Sequence, residues 1–109
     1  MRQTLTATLD HRAGCTVLTL VGEIDHDTRP LLDGLLDGLP ARLPQAGGPL
    51  RVDLRGVPFM DSAGLHFLVE LRRRQTVGGG AAPVLLGVQE QPAGVLRLIG
   101  LDGLLGVAA

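Results

Sequence analysis

The sequence predicts an α/β fold: a single domain in which a mixed sheet of four to five strands packs against helices. Three observations carry that prediction. Segments that alternate apolar and polar residues with a period of two are interleaved with segments whose leucines recur at helical spacing. Two strand-like segments follow one another near the N-terminus with only a short turn between them, which adds an antiparallel pair. The hydrophobic fraction of 45% over 109 residues suffices for one core, and with an aromatic fraction of 2% that core must be built from Leu, Val, Ile and Ala.

The elements follow in order. "TLTATL" places Leu5, Ala7 and Leu9 on one face and Thr4, Thr6 and Thr8 on the other, a strand with one wet face. "DHRAG" (Asp10 to Gly14) reads as a turn, and "CTVLTLVG" from Cys15 is apolar or β-branched almost throughout, so it reads as a strand covered on both faces. A helix starts next, with Asp27 or Thr28 as N-cap and Pro30 in the first turn, where its missing N–H costs nothing. Leu31, Leu32, Leu35, Leu36 and Leu39 form its apolar stripe, and Asp33 and Asp37 face water. Gly34 and Gly38 weaken it by roughly 1 kcal/mol each relative to alanine, so docking of the leucines must hold it. Pro40 ends the helix, and the loop at 41–48 leads to a third strand with Leu50, Val52 and Leu54 set against Arg51 and Asp53.

A second helix begins near Asp61, carrying Leu65, Leu68 and Val69 inward with Leu71 at the flank and the stem of Arg72 along the same stripe. After the "TVGGGAAP" connection, "VLLGV" is a fourth strand. "EQPAGVLRLIG" is a short third helix with Pro92 near its start, Val95, Leu98 and Ile99 inward and Gly100 as C-cap, and "LLGVA" is a last short strand. The order β-β-α-β-α-β-α-β implies right-handed crossovers and a largely parallel sheet.

Composition excludes several functions. The net charge is −1 and every basic residue is an arginine, so there is no basic footprint for nucleic acid. Cys15 is the one cysteine; in a strand-like run it reads as a buried reduced thiol, which fits the cytoplasm. The N-terminus lacks the apolar stretch of a signal peptide, and no uncharged apolar run reaches the ~18 residues of a membrane span. His11, His26 and His66 have no metal-ligand spacing, and Gly78 to Gly80 lack the Lys-Ser/Thr of a phosphate-binding loop; neither a metal nor a cofactor is expected. The triplet Arg72, Arg73 and Arg74 reads as a solvated helix end that favours the dipole.

The informative stretch is "GVPFMDSAGLHFLVELRRR". It puts Ser62 where a strand ends and a helix begins, the edge at which parallel α/β proteins meet ligands and partners. Either Asp61 or Ser62 can cap that helix. Gly64 either clears bulk beside the hydroxyl or packs tightly against the turn.

Three stretches resemble the STAS domain family, and within it the bacterial anti-sigma factor antagonists: "LTLVGEIDHDT", "RVDLRGVPFMDSAGLHFL" and "LRLIGLDGLLGV". The second is the specific one, and the likeness covers nearly the whole chain. The resemblance implies a STAS-like fold and a binding protein that is not an enzyme. It implies that Ser62 is phosphorylated by a partner anti-sigma factor, itself a serine kinase with a histidine-kinase-like ATPase fold. Unphosphorylated, such an antagonist binds the anti-sigma factor and frees a sigma factor; phosphorylated, it lets go. Whether a phosphatase resets it is left open. Asp25 matches the family's turn aspartate and Asp61 the residue before the serine, whereas Ala63 stands where many relatives carry a second small hydroxyl. The expected partner surface comprises Asp25, Asp27, Asp61, Ser62, Ala63, Gly64 and His66. The alternative is a STAS scaffold or transporter-associated subunit without a phosphorylation switch. A serine nucleophile ranks last, because "MDSAG" lacks the first glycine of a nucleophile elbow.

Overall fold

The computed structural model describes residues 5–12, 14–38, 49–77, 79–101 and 106–108. The elements come in the predicted order: β1 (Thr6–Arg12), β2 (Cys15–Val21), α1 (Arg29–Gly38), β3 (Arg51–Gly56), α2 (Ser62–Thr76), β4 (Val84–Leu86), α3 (Glu90–Leu98) and β5 (Gly106–Ala108). They build a five-stranded mixed sheet of order β1-β2-β3-β4-β5. β1 is antiparallel to β2, and the remaining pairs are parallel. Thr4, Ala13, Leu39, Pro40, the loop at 41–48, Gly78 and the stretch 102–105 lie outside the described residues.

Every crossover steps in the same direction along the sheet. Right-handed connections that never reverse direction put their helices on one face. That overturns the expectation that β2 is covered on both faces: Thr16, Leu18 and Leu20 are buried, whereas Val17 and Thr19 are half-buried and Val21 is exposed. On the uncovered face Arg55 grips Asp53 with two hydrogen bonds, Nε to Oδ1 at 3.1 Å and Nη2 to Oδ2 at 2.9 Å. The guanidinium holds the Asp53 carboxyl below its usual range. Cys15 also belongs to this face; it is half-buried rather than buried, with the Arg51 guanidinium against its sulfur.

The hairpin is longer than predicted. β1 runs on through His11 to Arg12, which pairs with Cys15, and Gly14 takes a φ of 79°, so the turn is much shorter than Asp10–Gly14. Leu5 is buried, but Leu9 is 43% exposed because β1 is an edge strand running out towards that turn.

The core is aliphatic, as its composition requires: Leu18, Leu20, Val52, Leu54 and Leu85 from the sheet meet Leu32 and Leu36 of α1, Leu68 and Leu71 of α2 and Leu96 of α3. Phe67 is the aromatic exception, buried at the centre of α2. Three helix registers differ from the sequence reading. In α1, Leu31 is exposed and Leu35 only half-buried. In α2 the buried stripe is Ala63, Gly64, Phe67, Leu68, Leu71 and Gln75, which leaves Leu65 half-buried and Val69 exposed. In α3, Pro92 and Leu96 face inward, and Leu98 and Ile99 are exposed. There Ile99 is the C-cap, and Gly100 follows it with a φ of 73°, the left-handed residue that closes many helices. Among the described residues no helix is long and apolar enough to cross a membrane.

The arginine triplet is not merely solvated. Arg74 Nη1 donates to the Leu36 carbonyl at 2.6 Å, satisfying an orphan acceptor in the last turn of α1. Arg73 and Arg74 both pair with Glu70, and chiefly the Arg73 hydrogen bonds push its carboxyl down to about 2 from an ordinary 4.5. A carboxyl whose pKa falls on folding contributes stability that is complete above its unfolded pKa and is lost as pH falls through its folded one. Melting temperatures should therefore drop between pH 4.5 and pH 2, and Glu70→Gln should flatten that slope while leaving the pH 7 fold intact.

Candidate functional site

The site forms where β2 and β3 end. After the last regular pairing of β2 with β3, Ile24 and Met60 form an isolated parallel bridge. Ile24 N–H donates to Phe59 O at 3.0 Å and Asp61 N–H donates to Ile24 O at 3.1 Å. Ile24 and Met60 are buried, so the aspartates that follow them, Asp25 and Asp61, occupy neighbouring positions of opposite pleat on the rim. The turn at 22–27 thus shares its edge with the start of α2.

At that start the capping question resolves in favour of Asp61. Its backbone is extended, at φ −112° and ψ −157°, and its Oδ1 accepts from Ala63 N–H at 2.8 Å. Ser62 is the first helical residue and is exposed, and its hydroxyl makes no hydrogen bond among the described residues. His66 is exposed one turn further along the same helix face.

The other expected contact residues fall into two groups. Asp27 is exposed on the rim, with its Oδ1 3.4 Å from His26 Nε2. Asp25, by contrast, is taken up by its own turn: Oδ1 accepts from Asp27 N–H and Thr28 N–H, both at 3.0 Å, and from Thr28 Oγ1 at 3.3 Å. Thr28 Oγ1 in turn accepts from Asp25 N–H at 3.0 Å, so the pair locks the entry to α1. Ala63 and Gly64 are buried and shape the surface from beneath instead of lying on it.

Gly64 shows why. A β-carbon there would lie 2.8 Å from Met60 Sδ and 2.9 Å from Met60 Cβ. The sulfur can swing aside, but Cβ is fixed to the bridge, so tight packing against the turn is the reading that holds. Gly64→Ala should destabilise the fold by roughly 1–2 kcal/mol, overpacking outweighing the gain in helix propensity; a lower denaturant midpoint at unchanged slope would register it.

Sequence reasoning missed the apolar part of the exposed surface. Phe59 is 38% exposed just before the bridge, Val69 is 45% exposed along α2 beyond His66, and Leu31 of α1 is 46% exposed. For Val69 and Leu31 only the helix registers distinguish surface from core, Phe59 lies outside any helix, and the sequence carried no separate signal for the three. Among the described residues no three His, Cys, Asp or Glu side chains gather as a metal site.

A comparison with solved structures returns this same fold. An anti-sigma factor antagonist from Mycobacterium paratuberculosis matches at 21% identity and a TM-score of 0.71, covering 95% of this chain and 85% of the other. A sulfate transporter family protein from Wolinella succinogenes matches at 25% identity and a TM-score of 0.69, covering 90% and 79%. The phosphorylated form of the Bacillus cell fate determinant SpoIIAA matches at 20% identity and a TM-score of 0.59, covering 95% and 92%. Among curated proteins none matches. The family model described as "Mlab, STAS domain" matches residues 7–106, nearly the whole chain, and the protein belongs to the STAS domain family.

Proposed function

We propose that this chain is a phosphorylation-controlled binding module, not an enzyme. Unphosphorylated, it binds an anti-sigma factor that is a serine kinase of histidine-kinase-like ATPase fold, and so releases a sigma factor. Phosphorylation of Ser62 ends the complex. The observation that supports this reading best is the exposed hydroxyl of Ser62, which makes no hydrogen bond among the described residues, beside an Asp61 that already does the capping.

A phosphoserine adds about −1.5 to −2 charges at neutral pH. The unsatisfied N–H groups and positive dipole end of α2 tolerate that charge locally, so the fold keeps its shape. Asp27 and Asp61 already make the rim acidic, so the added charge repels instead of recruiting. Similarity to a phosphorylated relative over 95% of the chain agrees with a fold that accommodates the modification. The match to a sulfate transporter family protein favours a second reading, a transporter-associated subunit in which Ser62 is never modified.

Affinity capture separates the two. With the wild type as bait, an ATPase of the histidine-kinase type should be recovered and should phosphorylate Ser62 but spare Ser62→Ala. Recovery of transport components with Ser62 unmodified would overturn the first reading.

A further inference from the structure

We infer that Gln91 is the residue that positions Ser62, by substituting for a missing strand; the link to Ser62 chemistry rests on the function proposed above. β4 pairs with β3 only as far as Leu86 with Asp53, and Gly87, at φ 63°, turns the chain away. Among the described residues the segment from Arg55 to Met60 therefore runs on without a neighbouring strand on the β4 side. Its backbone groups are met there by two glutamine side chains from the start of α3. Gln89 Nε2 donates to Arg55 O at 2.8 Å. Gln91 does more: Oε1 accepts from Met60 N–H at 2.9 Å and Nε2 donates to Met60 O at 3.0 Å.

One primary amide thus reproduces the donor and acceptor of a strand residue. Met60 is held from both sides, by Gln91 here and by the Ile24 bridge opposite. The residue is wholly buried, so its amide and carbonyl have no water to turn to while Gln91 is in place. Asp61 and Ser62 follow at once, and the cap that starts α2 inherits its position from Met60. A ladder of main-chain bonds cannot be removed by one side-chain change. This clamp can, which makes Gln91 a positioning residue and a testable one.

The test measures amide hydrogen exchange and Ser62 phosphorylation on the full chain. In Gln91→Ala, exchange at the Met60 and Asp61 amides should rise at least tenfold, about 1.4 kcal/mol of local opening. Amides of Leu68 and Leu71 in the same helix should keep their protection. Gln91→Glu, which retains the acceptor for Met60 N–H but loses the donor to Met60 O, should be intermediate, and Gln89→Ala should match wild type at Met60. With the ATPase recovered by capture, kcat for Ser62 phosphorylation should fall about tenfold in Gln91→Ala while KM stays level, because Asp27 and His66 remain in place to dock. Unchanged exchange at Met60 would overturn the inference, as would uniform acceleration of all amides or an unchanged kcat despite a loosened turn. If the wild type is not phosphorylated at all, the proposed function fails, and the exchange pattern alone still decides whether Gln91 holds the turn.

Discussion

Under the proposed switch, Ser62→Asp should weaken the complex with the kinase partner roughly a thousandfold, a loss of about 4 kcal/mol that titration calorimetry at moderate salt would register. The physical reasons add together. Ser62 is exposed, so the substitution costs the isolated protein little. On binding, the new carboxylate must shed water against a surface shaped for a small neutral hydroxyl, and a buried charge without a partner is expensive. Asp61 cannot help, since one of its oxygens is engaged by Ala63 N–H and its own charge is of the same sign. Asp27 adds to the repulsion from across the rim. Ser62→Asn, of similar bulk and no charge, should retain much more affinity than Ser62→Asp. Equal binding by wild type and Ser62→Asp sinks the switch.

Phe67→Ala is the most damaging substitution expected for the fold itself, at about 3–5 kcal/mol. Phe67 is 1% exposed and supplies the one large aromatic volume among the described residues of a core otherwise built mainly from leucine, with valine, isoleucine, Met60 and Ala63. Truncation leaves a cavity under the first turns of α2, and small aliphatic neighbours cannot fill it. Set against a typical total stability of about 5–15 kcal/mol, the loss leaves a marginal protein. Chemical denaturation should show a sharply lower midpoint with an unchanged slope. At temperatures where the variant stays folded, Ser62 should remain a substrate, because the hydroxyl lies on the opposite side of the helix.

The order of the elements was legible because each has a period of its own. The alternating segments at 4–9 and 50–54 and the leucine-bearing helices declare themselves, though β1 extends further, to Arg12. What failed was orientation. In α2 the residues that touch the core first are Ala63 and Gly64, which add almost nothing to a hydrophobic count, so the apolar pattern points to Leu65 and Val69 beside Leu68, of which only Leu68 is buried. In α3 the register is set by Pro92 and Leu96, and the more apolar pair Leu98 and Ile99 sits where the helix ends in solvent. β2 looked doubly covered because Val17 and Thr19 are β-branched, yet β-branched residues suit a half-exposed pleat as well as a buried one.

The candidate site was legible as a junction but not as a mechanism. Aspartate and serine are equally good cap types, so adjacency alone could not assign the cap to Asp61. Asp25 stands out in the sequence by its resemblance to the family's turn aspartate and as an expected contact residue, whereas the structure uses its hydrogen-bonding geometry to close a turn with Thr28. Gln91 left no trace, because its partner is a main-chain group 31 residues away and nothing in side-chain pattern encodes that.

Two adjacent residues divide the labour at the head of α2: the Asp61 side chain anchors the helix, and the Ser62 hydroxyl makes no hydrogen bond among the described residues. Under the proposed switch, a phosphate added to or removed from Ser62 would therefore leave the anchor untouched, and the two forms should resist proteases alike. A signal carried at such a place can be written and erased many times without the protein being discarded between cycles.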